Sequence, residues 1–271
     1  MRLLYCGDIM GRVGRDAVIA HMPDLRKRLA LDFVVACGEN AAHGYGITAL
    51  ICQQLFEAGV DVVTLGNHAW DQREIINFIP AEPRLLRPIN YPPETPGQGF
   101  GLYTTPSGRR VIVVQVMCRL FMDALDDPFR ALDDLLTRHP LRDAADAIIV
   151  DVHGEASSEK GALGFLADGR ASMVVGSHSH VPTADTRILT GGTAFQSDAG
   201  MCGPYDSVIG MNKHTALKRF VTKMPTERLE PADGEGTVCG VFVVTDDRTG
   251  LAVCAEPVRV GGSMLKQALP E

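Results

Sequence analysis

Apolar runs that each end on a residue able to bind a metal recur along this chain. Arg2–Cys6 leads to Asp8, Phe33–Cys37 to Glu39 and Asn40, and Asp61–Leu65 to Asn67 and His68. Ala147–Val152 leads to His153, and Met173–Gly176 to His178 and His180. Two carboxylates, carboxamide oxygens and several imidazoles make a donor set suited to one or two borderline divalent ions. In an open α/β sheet, ligand sites lie at the carboxyl ends of parallel strands, so residues far apart in sequence converge on one cleft. The pattern reads as a metal-dependent hydrolase.

Gly176-Ser177-His178-Ser179-His180 is the strongest single piece. Histidines two apart on extended backbone point to opposite faces, so a loop must turn both toward neighbouring ions. The alternative is a pair of hydrogen-bonded structural histidines. Asp151-Val152-His153-Gly154-Glu155 and Gly66-Asn67-His68-Ala69-Trp70-Asp71 add imidazoles at strand ends. Arg12 and Arg15 flank a Gly-rich turn before a helix, where phosphate is favoured. A solvated face explains them equally. His43 and Tyr45 in the loop after Asn40 are candidates for contact with a base or ribose, and Glu155 and Lys160 for lining the same cleft.

The elements that must hold these residues alternate between strands and helices over Met1–Pro80, which implies a parallel sheet with right-handed crossovers. Helical periodicity covers Asp16–Leu29. Thr48 is an N-cap for a helix ending at Gly59, and a short helix over Asp71–Phe78 is stopped by Pro80. Ala81–Gly108 is a Pro- and Gly-rich loop with short strands, Val111–Val116 a buried strand and Pro128–Arg138 a helix. From Thr186 onward the chain reads as strands without long helices: Thr186–Leu189, Thr193–Gln196, Val238–Thr245 and Leu251–Val260. Asp198–Gly236 reads as an irregular insertion that covers the cleft or makes a subunit contact, within one domain spanning residues 1–271.

Composition bounds the function. The chain has 271 residues, 45% hydrophobic and 22% charged, which is ordinary for a soluble globular protein. A net charge of −7 argues against broad binding to extended nucleic acid. It leaves room for a small phosphate ester held by cations. The seven cysteines are scattered, with no C-x-x-C pair for zinc or redox chemistry. No stretch nears the roughly 18 apolar residues of a membrane span, and no secretory signal is evident, so a cytoplasmic location is expected. No G-x-S-x-G element supports a serine hydrolase.

Asp8, Gly66-Asn67-His68, His153 and Gly176-x-His178-x-His180 occur in the order of the calcineurin-like metallophosphoesterases, which the chain resembles. The segments Gly7–Arg15, Gly38–Ile47, Asp151–Lys160 and Ser197–Met201 are similar to the bacterial YmdB-type branch. The resemblance implies a four-layer α/β–β/α sandwich. It places Asp8, Glu39 and His180 on one ion with Asn40 nearby, and Asn67, His153 and His178 on a second that shares Glu39. Two departures from the superfamily pattern stand out: Met10 occupies the place of its first His, and Glu39 that of its bridging Asp.

The activity so implied is phosphodiester hydrolysis, with cyclic nucleotides and 2′,3′-cyclic monophosphates the substrate class. Two divalent ions, Mn or Fe with Zn an option, would turn a water into hydroxide and stabilise the phosphoryl oxygens. His68, beside a ligand, is the candidate general acid; the other reading has it orienting a ligand. Alternatives are a phosphomonoesterase or RNase on the same site, or a weakly catalytic nucleotide-binding regulatory protein, which Met10 keeps open. A homo-oligomer is compatible with all of these.

Overall fold

A computed structural model describes residues 1–225 and 227–270. Its elements fall into two sheets. The first holds β1 (Arg2–Cys6), β2 (Asp8–Ile9), β3 (Phe33–Cys37), β4 (Val62–Thr64), β5 (Leu85–Leu86), β12 (Met201–Pro204), β13 (Gly236–Thr245) and β14 (Ala252–Val260). The second holds β6 (Phe100–Thr104), β7 (Arg110–Met117), β8 (Ala147–His153), β9 (Met173–Ser177), β10 (Arg187–Ile188) and β11 (Ala194–Gln196). β1, β3, β4 and β5 run parallel, as do β7, β8, β9 and β11. Strands that end a parallel sheet on the same side deliver their following loops to one rim, which is what the metal-binding residue types require.

The strands are apolar on both faces because both faces are covered. Between the sheets lie Leu3, Tyr5, Val35 and Val62 against Val111, Val113, Ile149 and Val175. Outside the first sheet, Val18, Met22 and Leu25 of α1 (Gly11–Arg28) and Ile51 and Leu55 of α2 (Ala49–Glu57) pack on Leu4, Val34 and Val63. Outside the second, Leu132, Leu135 and Leu136 of α4 (Pro128–Arg138) and Leu163 of α5 (Ser157–Leu166) cover Ile112, Ile148 and Val174. The result is the expected four-layer sandwich.

α2 begins where its cap predicts, the Thr48 hydroxyl accepting from the Ile51 N–H at 3.3 Å. α4 has the expected bounds, with Asp127 accepting from Phe129 and Arg130. α1 begins earlier than its periodicity suggests, at Gly11 rather than Asp16. Its first turn looks like a loop because it carries Gly11 and Gly14. Gly14 is needed there for packing: a Cβ would collide with the Cys202 carbonyl of β12. The short third helix, α3 (Ile75–Phe78), ends at Phe78 as expected but begins at Ile75 rather than Asp71, and the chain passes Pro80 in a 3₁₀ turn, Ile79–Ala81, whose first positions tolerate proline.

The segment 198–236, expected to be irregular, is so only in part. It contains β12 and α6 (Lys213–Thr222), the latter capped by the Asn212 side chain on His214 and Thr215. β12 pairs with β13 at Gly236–Thr237, beyond the point where β1 stops, and carries β2 on its far side with Asp8 opposite Met201. This segment therefore builds the rim on which Asp8 stands. Met10, where the superfamily has His, is fully buried, with its side chain against Gly44, Gly203 and Gly210. Among the described residues, no helix is long and apolar enough to cross a membrane.

Candidate metal centre

Asp8 follows β1, Glu39 and Asn40 follow β3, Asn67 and His68 follow β4, His153 ends β8, and His178 and His180 follow β9. The fold brings all of these to one rim. Glu39 Oε1 lies 3.2 Å from His153 Nε2, and Asn67 Oδ1 lies 2.9 Å from the same nitrogen. Asn40 Oδ1 lies 3.2 Å from His180 Nε2, and Asp8 Oδ1 4.0 Å from it. Ligand atoms of Glu39, His153 and His178 fall within 4.8 Å of one another, as do those of Asp8, Cys37 and His153. Gly66 makes the approach of the two halves feasible, since a Cβ there would overlap Glu39 Oε2 and the His153 ring.

The two histidines after β9 reach the same cluster because neither is extended. His178 has φ 98° and His180 φ 64°. A positive φ on a residue with a Cβ costs on the order of 1–3 kcal/mol. Here it is offset by hydrogen bonds on both sides. The His178 N–H donates to Asp8 Oδ2 (3.0 Å), the Ser179 N–H to Asp198 Oδ2 (3.0 Å), and His180 Nδ1 to the Ile209 carbonyl (2.7 Å). That last bond fixes a proton on Nδ1, because a carbonyl only accepts. In a neutral ring, Nε2 then presents a lone pair to the oxygens of Asn40 and Asp8.

His153 is oriented in a similar way. Its Nδ1 lies 2.9 Å from Ser177 Oγ, and Ser177 Oγ donates to Asp151 Oδ1 at 2.7 Å. Asp151 also accepts from Thr64 (2.6 Å) and Gln115 (2.7 Å). Nε2 of His153 is thereby turned into the oxygen cluster. The rings of His153 and His178 meet edge to face at 4.9 Å.

Protonation reports how negative the cluster is. Burial alone would raise the Glu39 carboxyl, but the adjoining His153 imidazole overrides it and holds Glu39 at about 2. Burial alone would lower His153, yet the Glu39 carboxylate lifts it to about 9. His178 is driven down to about 3 by burial and by the charge on His153. Burial raises Asp8, and lifts Asp151 to about 6. A proton on His153 is thus retained where oxygen ligands converge, the electrostatic demand that a bound cation would meet instead. The donor chemistry fits a divalent metal.

His68 is partly exposed at the mouth. Its backbone N–H donates to Glu39 Oε2 (2.9 Å), while ring Nδ1 is 2.7 Å from Asp71 Oδ2, which leaves Nε2 as the ring nitrogen not engaged by Asp71. Tyr45 packs edge-on against His68 at 5.4 Å. Arg12 and His43 are exposed and line a neighbouring cavity rather than the metal cluster. Glu155 Oε2 approaches His178 Nε2 at 3.4 Å.

Other parts of the site are hidden in the sequence. Lys160 does not line the cleft; it is buried beneath the His178–His180 loop, paired with Asp198. Cys37 donates its thiol to Asp8 Oδ1 (3.4 Å), and burial keeps that thiol protonated. The one sequence signal for Ser177 is its position on the strand immediately before the first loop histidine.

A model of the protein family described as "YmdB-like protein" matches residues 4–258. The 2′,3′-cyclic-nucleotide 2′-phosphodiesterase of Bacillus subtilis strain 168 is 45% identical over 260 residues, covering 96% of this chain and 97% of that protein. A crystal structure of a hypothetical protein from Thermus thermophilus superposes with a TM-score of 0.89 at 45% identity, over 97% and 100% of the two chains. That of a phosphatase from Mycoplasma pneumoniae superposes at 0.88 with 30% identity, over 96% and 93%.

Proposed function

The chain belongs to the YmdB-like family, within the calcineurin-like metallophosphoesterases, and from that premise we propose that it hydrolyses small phosphodiesters, 2′,3′-cyclic nucleotides foremost. Its centre would hold two divalent ions, Mn or Fe. Asp8, Glu39 and His180, with Asn40 beside them, would hold one; Glu39, Asn67, His153 and His178 would hold the other. When bound, the ions lower the pKa of a water nucleophile and offset charge building on the phosphoryl oxygens.

The protein's own groups do the rest. Asp151 and Ser177 fix the His153 ring, and the Ile209 carbonyl fixes His180, so both imidazoles meet the cluster through Nε2. Asp71 holds His68 by Nδ1, so that Nε2–H can pass a proton to the departing ribose oxygen. The observation that carries the reading is the convergence of Asn40, Asp8, Glu39 and Asn67 oxygens on two imidazole nitrogens at one strand-end rim. Carboxylate and carboxamide oxygens beside imidazole nitrogens make the donor set that supports a cation site there.

The test is hydrolysis of a 2′,3′-cyclic nucleotide by Mn-reconstituted protein beside Glu39→Gln at matched folding. Turnover lost in the variant supports a metal-dependent phosphodiesterase with Glu39 at its centre. Equal turnover in both rejects that role. A monoester such as p-nitrophenyl phosphate belongs in the same assay, because the Mycoplasma pneumoniae relative carries the name phosphatase.

A further inference from the structure

Beside the metal rim lies a cavity of about 570 Å³ that the reaction as derived leaves without a role. Three arginines from two separate parts of the chain line it: Arg12 and Arg15 from the first turns of α1, and Arg228 from the segment after α6. His43 closes it from the loop that follows Glu39 and Asn40. Glu230 and Asp233 also contribute to the wall, so the three arginines against two carboxylates leave a formal net of +1 before His43 is counted. In a chain of net charge −7, that is a local reversal of sign.

The lining is positioned rather than merely cationic. Arg15 Nη1 donates to the Ala41 carbonyl at 2.6 Å. The Arg228 guanidinium sits over the Tyr45 ring, 5.3 Å from its centroid, and that ring in turn packs against His68. Tyr45 is itself held by Gln72, whose Nε2 donates to the Tyr45 carbonyl at 2.7 Å. Arg12 meets Asp233 only loosely, at 3.7 Å between side chains that are 73% and 92% exposed. An ion pair that open to water is weak and leaves the guanidinium available. No side chain caps the N-terminus of the 18-residue α1, and its first turn carries no acidic residue, so the helix field adds to the arginines.

We propose that this cavity is an anion subsite that receives a second phosphate of the substrate, esterified to the 5′ oxygen of the nucleoside whose cyclic phosphate reacts at the metal rim. Tyr45 lies between the two sites, with His68 on one side and Arg228 on the other, and an aromatic ring there offers a wall for the intervening nucleoside. The subsite rests on the phosphodiesterase reading and narrows it. The preferred substrates are 5′-phosphorylated nucleoside 2′,3′-cyclic phosphates and short RNA ends terminating in one, rather than the nucleoside cyclic phosphate alone.

The experiment compares uridine 2′,3′-cyclic phosphate with its 5′-phosphorylated form on the Mn-loaded protein. A charge-assisted contact predicts kcat/KM at least about tenfold higher for the 5′-phosphorylated substrate, expressed mainly in KM. In Arg228→Ala and in Arg12→Ala that ratio should fall toward one. Equal kcat/KM for both substrates, or a ratio unchanged in both variants, overturns the subsite. So does inhibition by millimolar inorganic phosphate that is abolished in Arg228→Ala without any preference between substrates, since the cavity would then serve a free anion. If neither substrate turns over, the phosphodiesterase reading has failed separately. Calorimetric binding of 5′-UMP over uridine, lost in Arg228→Ala, then still supports the subsite, and its absence rejects it.

Discussion

Lys160 and Asp198 form an ion pair from which solvent is excluded: Nζ lies 2.8 Å from Oδ2, and the side chains are 3% and 1% exposed. Lys160 also donates to the Ser177 carbonyl at 2.8 Å, and Asp198 Oδ2 accepts from the Ser179 N–H at 3.0 Å. Asp198 Oδ1 takes the Gly200 N–H at 2.9 Å. The pair thus clamps the residue between the two left-handed histidines.

Removing the cation alone strands a buried carboxylate. Lys160→Met should therefore cost about 3–5 kcal/mol of unfolding free energy. Adding Asp198→Asn should recover part of that loss, because the second charge goes too. Urea denaturation of the metal-free proteins measures both. A single-variant cost below about 1 kcal/mol would mean that the clamp contributes little.

Ser177 relays Asp151 to His153 Nδ1. Ser177→Ala removes the hydrogen bond that fixes the ring without changing the ligand set. Loss of such a support commonly weakens metal binding by ~10–100-fold. Competition with a chelator reads the affinity, and circular dichroism checks the fold. Unchanged affinity would show that packing alone orients His153.

Metal binding should also be pH-linked. In the metal-free protein, His153 holds its proton up to about 9 and Glu39 loses its own at about 2. A ligating imidazole must be neutral, so metal uptake near pH 7.5 should release about one proton. Calorimetry in buffers of different ionisation enthalpy counts it, and His153→Asn should suppress the release. The same raised pKa stabilises the metal-free fold fully below the unfolded value near 6.5, and that contribution is lost as pH rises toward 9. Metal-free stability should decline across this window. A flat profile there would contradict the Glu39–His153 pairing.

The convergence of the candidate ligands is legible in the sequence because each follows an apolar strand, and strand ends on one side of a sheet converge by geometry. What the sequence hides depends on contacts between distant residues. Lys160 and Asp198 are 38 positions apart, and each alone looks like a surface charge. α5 escapes a reading by periodicity because Gly161 and Gly164 weaken its pattern. A Cβ at Gly164 would meet the Phe195 ring, so that glycine serves packing. α6 carries a readable signal in the Asn212 cap, but its exposed Leu217, Phe220 and Val221 break the usual periodicity. The start of α1 is masked by glycines, one of which the close approach of β12 demands.

His68 offers the sharpest separation of proton transfer from metal binding. Asp71 holds its ring by Nδ1, and its tie to Glu39 runs through the backbone N–H, which a substitution of the side chain leaves in place. A ribose oxygen is a poor leaving group that needs a proton, whereas nitrophenolate leaves without one. His68→Ala should therefore lower kcat on a 2′,3′-cyclic nucleotide by about 10²–10⁴, and far less on bis-p-nitrophenyl phosphate. Asp71→Asn should shift both rates in the same sense by a smaller factor, because the ring remains but loses its orienting carboxylate. Metal content should stay at the wild-type level in both variants. Equal losses on the two substrates would assign the His68 ring to positioning the site rather than to delivering the proton.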